Sequence, residues 1–530
     1  MKIHLFKKYI EKFNSENISF LLSYCLIIIL VISFFSVGME VDYWTFLNSD
    51  TLYMPTVYKD LFEDGNGLKG WNFNAAPNFF PEMFLYLIIR FFTTDFLLAN
   101  LLYGIVQVFI IVRLVNLIFK LLSPINHLKI STVANFIFSI CFFIVHYAKV
   151  LDVPFYLTTT AFHTGAFVMQ LFSVYLLLGI VEKNKTSNCL LLALVGFLTV
   201  LSDNLFIIYF SVPLLILSVY SFISGRRSFA IRSAVLSIVP AALGIIAFNL
   251  LKTSNYIHFT EIRSDYTIEK AIQSSIVMKQ QFVAYVAAFN LRSLFMIIAG
   301  VAFLMLTLLV VKELKKKFLS ATLSIYLAFL FISFFVIMFT PIAAGNYSNY
   351  DTLRYVIPVL YLLILSLPLL ITTLFTIRKV NAKKIILFFG VLLNVVALQK
   401  IDAKGLIAFL NYYPENAQHV DGLARKYGFQ KGVGHYWNSH YITMFSRENV
   451  KIYPVFPELT PYFHSVNTSL YFNEDAEFDF ILPDGLGSCE KYNTRFKNKG
   501  EFLVSGVDTI LMLPKFRYDS LSNKPYLVMP

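Results

Sequence analysis

The stretch "FFPEMFLYLIIRFF", residues 79–92, decides how this chain is threaded. It is apolar, yet far shorter than the roughly 20 residues needed to cross about 30 Å of hydrocarbon. That length predicts an interfacial or re-entrant helix laid along a membrane surface rather than a span. Counting it as a span would invert every segment that follows.

The surroundings make a membrane the right frame. Of 530 residues, 57% are hydrophobic and only 14% charged, with a mean hydropathy of +0.66. A water-soluble domain needs a larger polar shell. The net charge of +12 then reads as orientation signals in short loops rather than as a nucleic-acid surface. Cys25, Cys141 and Cys189 lie in apolar segments and only Cys489 in a polar one, so no disulfide framework is expected. No A-x-A-like site follows the first apolar run, which is therefore expected to remain as a helix.

With the N-terminus inside, the apolar runs predict spans at about 18–38, 96–118, 131–150, 164–181, 188–201, 205–223, 233–251, 291–311, 320–340, 356–377 and 385–400. The loops this order assigns to the cytoplasm carry "EKNK", "SGRRSFAIR", "KELKKK" and "RKVNAKK". Opposite loops carry "SDN" and "TPIAAGNYSNYDTLR". This obeys the positive-inside rule at each turn. The expectation is a polytopic α-helical membrane protein of about 11 transmembrane helices, N-in and C-out. Residues 1–400 form its membrane domain, including a first outer loop at 39–95. The stretch 252–290 is expected to be a polar outer connector.

Residues 401–530 change character. "ENAQHVDGLARKYGF" has a helical period closed by Gly, while "KGVGHYW", "NVKIYPVF", "FDFILPD" and "VDTILMLP" read as short strands between turn residues. A small C-terminal extracytoplasmic α/β domain is expected.

Ionisable groups near a bilayer are costly and point to function. The threading brings Asp42, Asp50, Glu82, His163, Asp203, Asp351 and Arg354 to one face. Asp50, in "NSDTLY", offers a general base or a ligand for Mg²⁺ or Mn²⁺; its plainest local role is an N-cap for "TLYMPTVYKDLF". Asp203 in "SDN" interrupts a long apolar stretch and is ordinarily a turn residue. His163 opens the span near 164, and no second His or Cys stands at zinc-ligand spacing. Arg354 in "NYDTLRYVIP", beside Tyr355, can grip a phosphate or snorkel at the interface.

Together these features resemble the GT-C glycosyltransferases. "SDTLYMPTVYKDLFEDGNGLKGWNF" followed by "APNFFPEMFLYLIIRFF" is similar to the first loop of the bacterial lipid A aminoarabinose transferases and the protein O-mannosyltransferase-like enzymes. There, an Asp soon after the first helix is followed by Tyr, a helix, a Gly-Trp-like turn and a Pro-led surface helix. The resemblance implies that Asp50 is the catalytic carboxylate and that Arg354 and Tyr355 hold the donor phosphate. Asp42, Glu82, His163, Asp203 and Asp351 would support those residues from behind or line the acceptor site. It implies inverting transfer from a polyprenyl-phosphate sugar to a lipid, glycan or protein acceptor, outside a bacterial inner (plasma) membrane. The sequence departs from that family where Thr51 follows Asp50 in place of a second acid, and no Glu-Lys-Pro step is present. The competing expectations are a transporter or flippase of a lipid-linked substrate, which would carry mid-helix charges and repeat symmetry, and a non-catalytic scaffold with a binding outer domain.

Overall fold

The computed structural model describes residues 15–148, 152–183, 185–261, 266–288, 290–374, 382–473, 476–505 and 508–528. Helices occupy each of the expected apolar runs, from Ser15–Phe46 to Ala382–Leu398. Seven are long and apolar enough to cross a membrane, and an eighth crossing results if Ile385–Leu398 and Ala403–Tyr427, bent by 58°, count as one. Three shorter apolar helices, His127–Phe143, Thr186–Ser202 and Ile207–Ile223, pack among them. The chain is a helical membrane protein.

The first helix is longer than its apolar core. It runs on to Phe46, so Asp42 lies on a helical extension rather than in a loop; its side chain, like that of Asp351, is outside the described residues. The segment 79–92 forms a π-turn, Phe79–Met83, and a nine-residue helix, Phe84–Phe92. Tyr86, Ile89 and Arg90 face inward, while Phe84, Phe91 and Phe92 are exposed. An apolar face left open on a helix this short suits a lipid surface. Arg90 anchors it, pairing with Glu63 and lying 4.4 Å over the Tyr58 ring.

The stretch 252–290 is more ordered than its polarity suggested. It holds a 20-residue helix, Ile268–Ala287, whose buried residues Ser274, Met278, Gln281 and Tyr285 recur every three or four positions. That period presents one face to the bundle. Ser274 Oγ accepts from the Tyr347 N–H at 3.2 Å, tying this helix to the chain that leads to Arg354.

Two sheets complete the fold. β1 (Trp71–Phe73) lies between β2 (His258–Phe259), parallel to it, and β5 (Val466–Asn467), antiparallel to it. Three distant parts of the chain are stitched together by these few residues. The other sheet holds β3 (Lys431–Gly434), β4 (Lys451–Pro454), β6 (Phe478–Leu482), β7 (Glu501–Ser505) and β8 (Asp508–Tyr518) in the order β4-β3-β6-β8-β7, with β9 (Pro525–Leu527) also on β8. Pairings β3–β4 and β3–β6 are parallel and the rest antiparallel. Gly432 sits where a Cβ would fall 2.4 Å from the Phe480 ring, so the ring lies flat over the bare backbone.

Candidate functional site

Where the first loop, the turn at 203, the 252–261 segment, the 344–355 segment and the C-terminal domain converge, they enclose a cavity of about 720 Å³. Asp50, His163, Asp203, Arg354 and Tyr355 all line it. Five of the residues singled out in the sequence therefore share one space.

Asp50 reaches it through a turn built by its neighbour. The Asn48 side-chain oxygen accepts from the N–H groups of Asp50 and Thr51, at 3.0 and 3.1 Å. This is the Asx geometry that short amide side chains favour. Asn48 thus does the local capping, and the helix at Tyr53 receives no side-chain cap at all. The N-cap role is not where Asp50 is used. Its carboxylate instead accepts a hydrogen bond from the Tyr436 hydroxyl at 2.8 Å.

His163 and Asp203 form the second feature. His163 has a φ of 65° and Ala161 one of 68°, a left-handed conformation that costs non-glycine residues energy and is retained where surrounding structure demands it. The turn aims the imidazole at Asp203, with Nδ1 and Oδ2 2.8 Å apart. Asp203 also serves its own turn, Oδ1 accepting from the Leu205 N–H at 3.0 Å. The turn and the histidine are thus served by different oxygens of one carboxylate. With Nδ1–H donated to Asp203, Nε2 is the nitrogen left for another partner.

Arg354 ends a 3-10 turn, Tyr350–Tyr355. Its guanidinium carbon lies 6.0 Å from the Phe162 ring centre and 5.3 Å from that of Tyr355. Its Nε is buried without a hydrogen-bond partner among the described residues. Burial works against its charge, but Tyr355, Tyr156 and Asp50 around it outweigh that and hold its pKa above the ordinary arginine value. The Tyr355 ring also packs 5.5 Å from that of His163, and its carbonyl accepts from the Tyr209 hydroxyl at 3.2 Å.

Glu82 is not among the residues that line the cavity, but it stands close enough to Asp203 for their charges to interact. It is buried behind the cavity wall, only 2% exposed, with its Cγ where a Cβ on Gly165 would stand. Its Oε1 has no hydrogen-bond partner among the described residues. Burial, and to a lesser degree the Asp203 charge, push its pKa up to about 8, against the opposing Gly165 N–H. A carboxyl here is held neutral near pH 7.

Other residues at the cavity were not singled out in the sequence. Lys252 pairs with Glu261 at 3.0 Å, and both line the wall with Thr260 and His464. His464 Nδ1 lies 2.9 Å from Thr260 Oγ1, and burial lowers its pKa. Lys252 and Glu261 did lie in a stretch that was conspicuously polar. Tyr436 and His464 carry no local signal, since each matters only through a partner hundreds of residues away. Among the described residues no three His, Cys, Asp or Glu side chains are grouped to hold a metal ion.

No family model matches the chain, and no curated protein is similar to it in sequence.

Proposed function

We propose that this chain is a membrane glycosyltransferase of the GT-C kind, moving a sugar from a polyprenyl-phosphate donor to a lipid, glycan or protein acceptor on the extracytoplasmic face. The observation that carries this is the shared cavity, about 720 Å³ with Asp50 and Arg354 both on its wall. Small-molecule sites span roughly 300–1,000 Å³, so a sugar and its phosphate are accommodated. In this reading all eleven apolar helices cross the membrane, the N-terminus is cytoplasmic, and the membrane is the bacterial plasma membrane.

The chemistry then divides between the two sides of the cavity. Arg354 holds the donor phosphate through its planar fork, with Tyr355 beside it. Asp50, oriented by the Tyr436 hydroxyl, accepts the proton of the acceptor group. The acceptor oxygen or nitrogen bonds to the anomeric carbon while the bond from that carbon to the phosphate oxygen breaks. The electron pair stays on the departing polyprenyl phosphate, where Arg354 stabilises it.

The test is separate substitution, Asp50→Asn and Arg354→Ala, assayed in membranes supplied with radiolabelled polyprenyl-phosphate sugars. Each variant is expected to lose at least about 100-fold in transfer, the lower range for removing a general base or a charge stabiliser, while melting like the parent in detergent. Full transfer by both variants would sink the proposal. Movement of the lipid across the bilayer without transfer would favour a flippase instead.

A further inference from the structure

The His163–Asp203 pair belongs to the phosphate side of the cavity, as three contacts indicate. The His163 ring packs 5.5 Å from Tyr355. The Arg354 guanidinium lies within 5.3 and 6.0 Å of the ring centres of Tyr355 and of Phe162, the residue next to His163. The buried Arg354 Nε has no hydrogen-bond partner among the described residues and is an unmet donor beside these rings. A buried donor left unpaired costs roughly 1–3 kcal/mol, and an acceptor supplied by a ligand removes that cost.

We infer that His163, held through Nδ1 by Asp203, is a second ligand of the donor phosphate and uses Nε2 to hydrogen-bond the phosphate as it leaves. This rests on the glycosyltransferase reading of the same cavity and adds a residue and a direction to it. An imidazolium donates from both nitrogens: one to Asp203 Oδ2, one to the ligand. A phosphodiester donor carries one negative charge, while the polyprenyl phosphate released by transfer is a monoester able to carry two. A charge-assisted donor that favours the second charge binds the released form better and stabilises charge as it develops. The charged or titratable groups facing this pair are Arg354 and Tyr355 on the phosphate side, with Tyr209 and Glu82 behind Asp203; Asp203 itself is the counter-charge. His163 thus differs from Asp50, which the Tyr436 hydroxyl holds for the acceptor.

The experiment measures binding of three probes to the full chain in nanodiscs: a short polyprenyl monophosphate, its methyl diester and inorganic phosphate. The parent is expected to prefer the monophosphate over the diester by at least about tenfold, in line with a hydrogen bond to a charged group. His163→Asn tolerates the left-handed backbone but is too short to reach the phosphate, and it is expected to lose that preference. Asp203→Asn is expected to reduce it as well, while its amide oxygen keeps the turn bond to Leu205. Arg354→Ala should weaken both lipid probes together. Retention of the full preference by two variants that melt like the parent would overturn the assignment of His163 and leave the phosphate site standing. A parent that binds neither lipid probe would overturn the phosphate site itself. Inorganic phosphate binding as tightly as the lipid would overturn the lipid class.

Discussion

The Tyr436 hydroxyl donates to the Asp50 carboxylate at 2.8 Å, joining residues 386 apart in the chain. The first loop and the C-terminal domain therefore meet through side chains at the cavity, as they also do at Asn74 and Ser465, and the domain is part of the site's wall. Ser49 adds a further tie, its hydroxyl donating to the Tyr436 carbonyl at 2.7 Å. The same helix start is gripped by two consecutive residues of the loop.

Tyr436→Phe removes the donor and keeps the ring. A hydrogen bond to a charged group contributes about 1.5–3 kcal/mol. The expected result is a fall of roughly 10- to 100-fold in kcat with little change in the donor KM, because Asp50 would lose its orientation while the phosphate contacts remain. A matching rise in KM, or a large drop in melting temperature, would point to a structural role instead.

Glu82 should make stability pH-dependent. Its pKa is raised from the ordinary 4.5 to about 8, chiefly by burial, so the folded state holds the proton more tightly than the unfolded state. Its contribution is complete below about pH 4.5 and is lost as pH rises toward 8, by up to about 1.4 kcal/mol per pH unit. Melting temperature in detergent should therefore decline over that window. Glu82→Gln, neutral throughout, should flatten the decline; an unchanged slope would assign it to other groups.

Gly165 is expected to be intolerant of a side chain. A Cβ there would lie 2.5 Å from Glu82 Cγ and 2.9 Å from Pro81 Cδ. Overpacking of this kind typically costs about 1–3 kcal/mol. Gly165→Ala should lower the melting temperature, and combining it with Glu82→Ala should recover part of the loss. No recovery would mean that Pro81 dominates the clash.

Asn467 should govern how the C-terminal domain docks on the first loop. Its amide donates to the Gly67 carbonyl at 3.0 Å, and its oxygen accepts from the Ser469 hydroxyl at 2.7 Å. It also sits in β5, opposite Trp71, whose indole N–H donates to buried Asp60 at 2.6 Å. Asn467→Ala should destabilise this seam by about 1–3 kcal/mol and expose the 65–78 segment to proteolysis. Cleavage at the parent rate would show that strand pairing alone holds the seam.

Much of this architecture was legible from local chain properties. The apolar runs marked where helices form, and the run at 79–92 was recognisable by its length as too short for a span, as the nine-residue helix Phe84–Phe92 bears out. Four of the C-terminal strands appear where β-favouring residues lie between turn residues, because strand and turn tendencies act over a few positions. The helix at Ile268–Ala287 was missed because its amphipathic period was masked by a high polar content.

The sequence by itself determined that the chain enters a membrane and where its long apolar helices run, and it singled out Asp50, His163, Asp203 and Arg354 as ionisable groups beside them. Those properties depend on apolar length, charge placement and turn chemistry, each set by neighbouring residues. Only the tertiary structure decided that Asp50 meets Tyr436, that His163 meets Asp203 and that Glu82 is buried behind them. Such contacts depend on how helix faces pack and strands pair across hundreds of residues, with hydrogen-bond geometry settled within a few tenths of an ångström, and no local pattern encodes that.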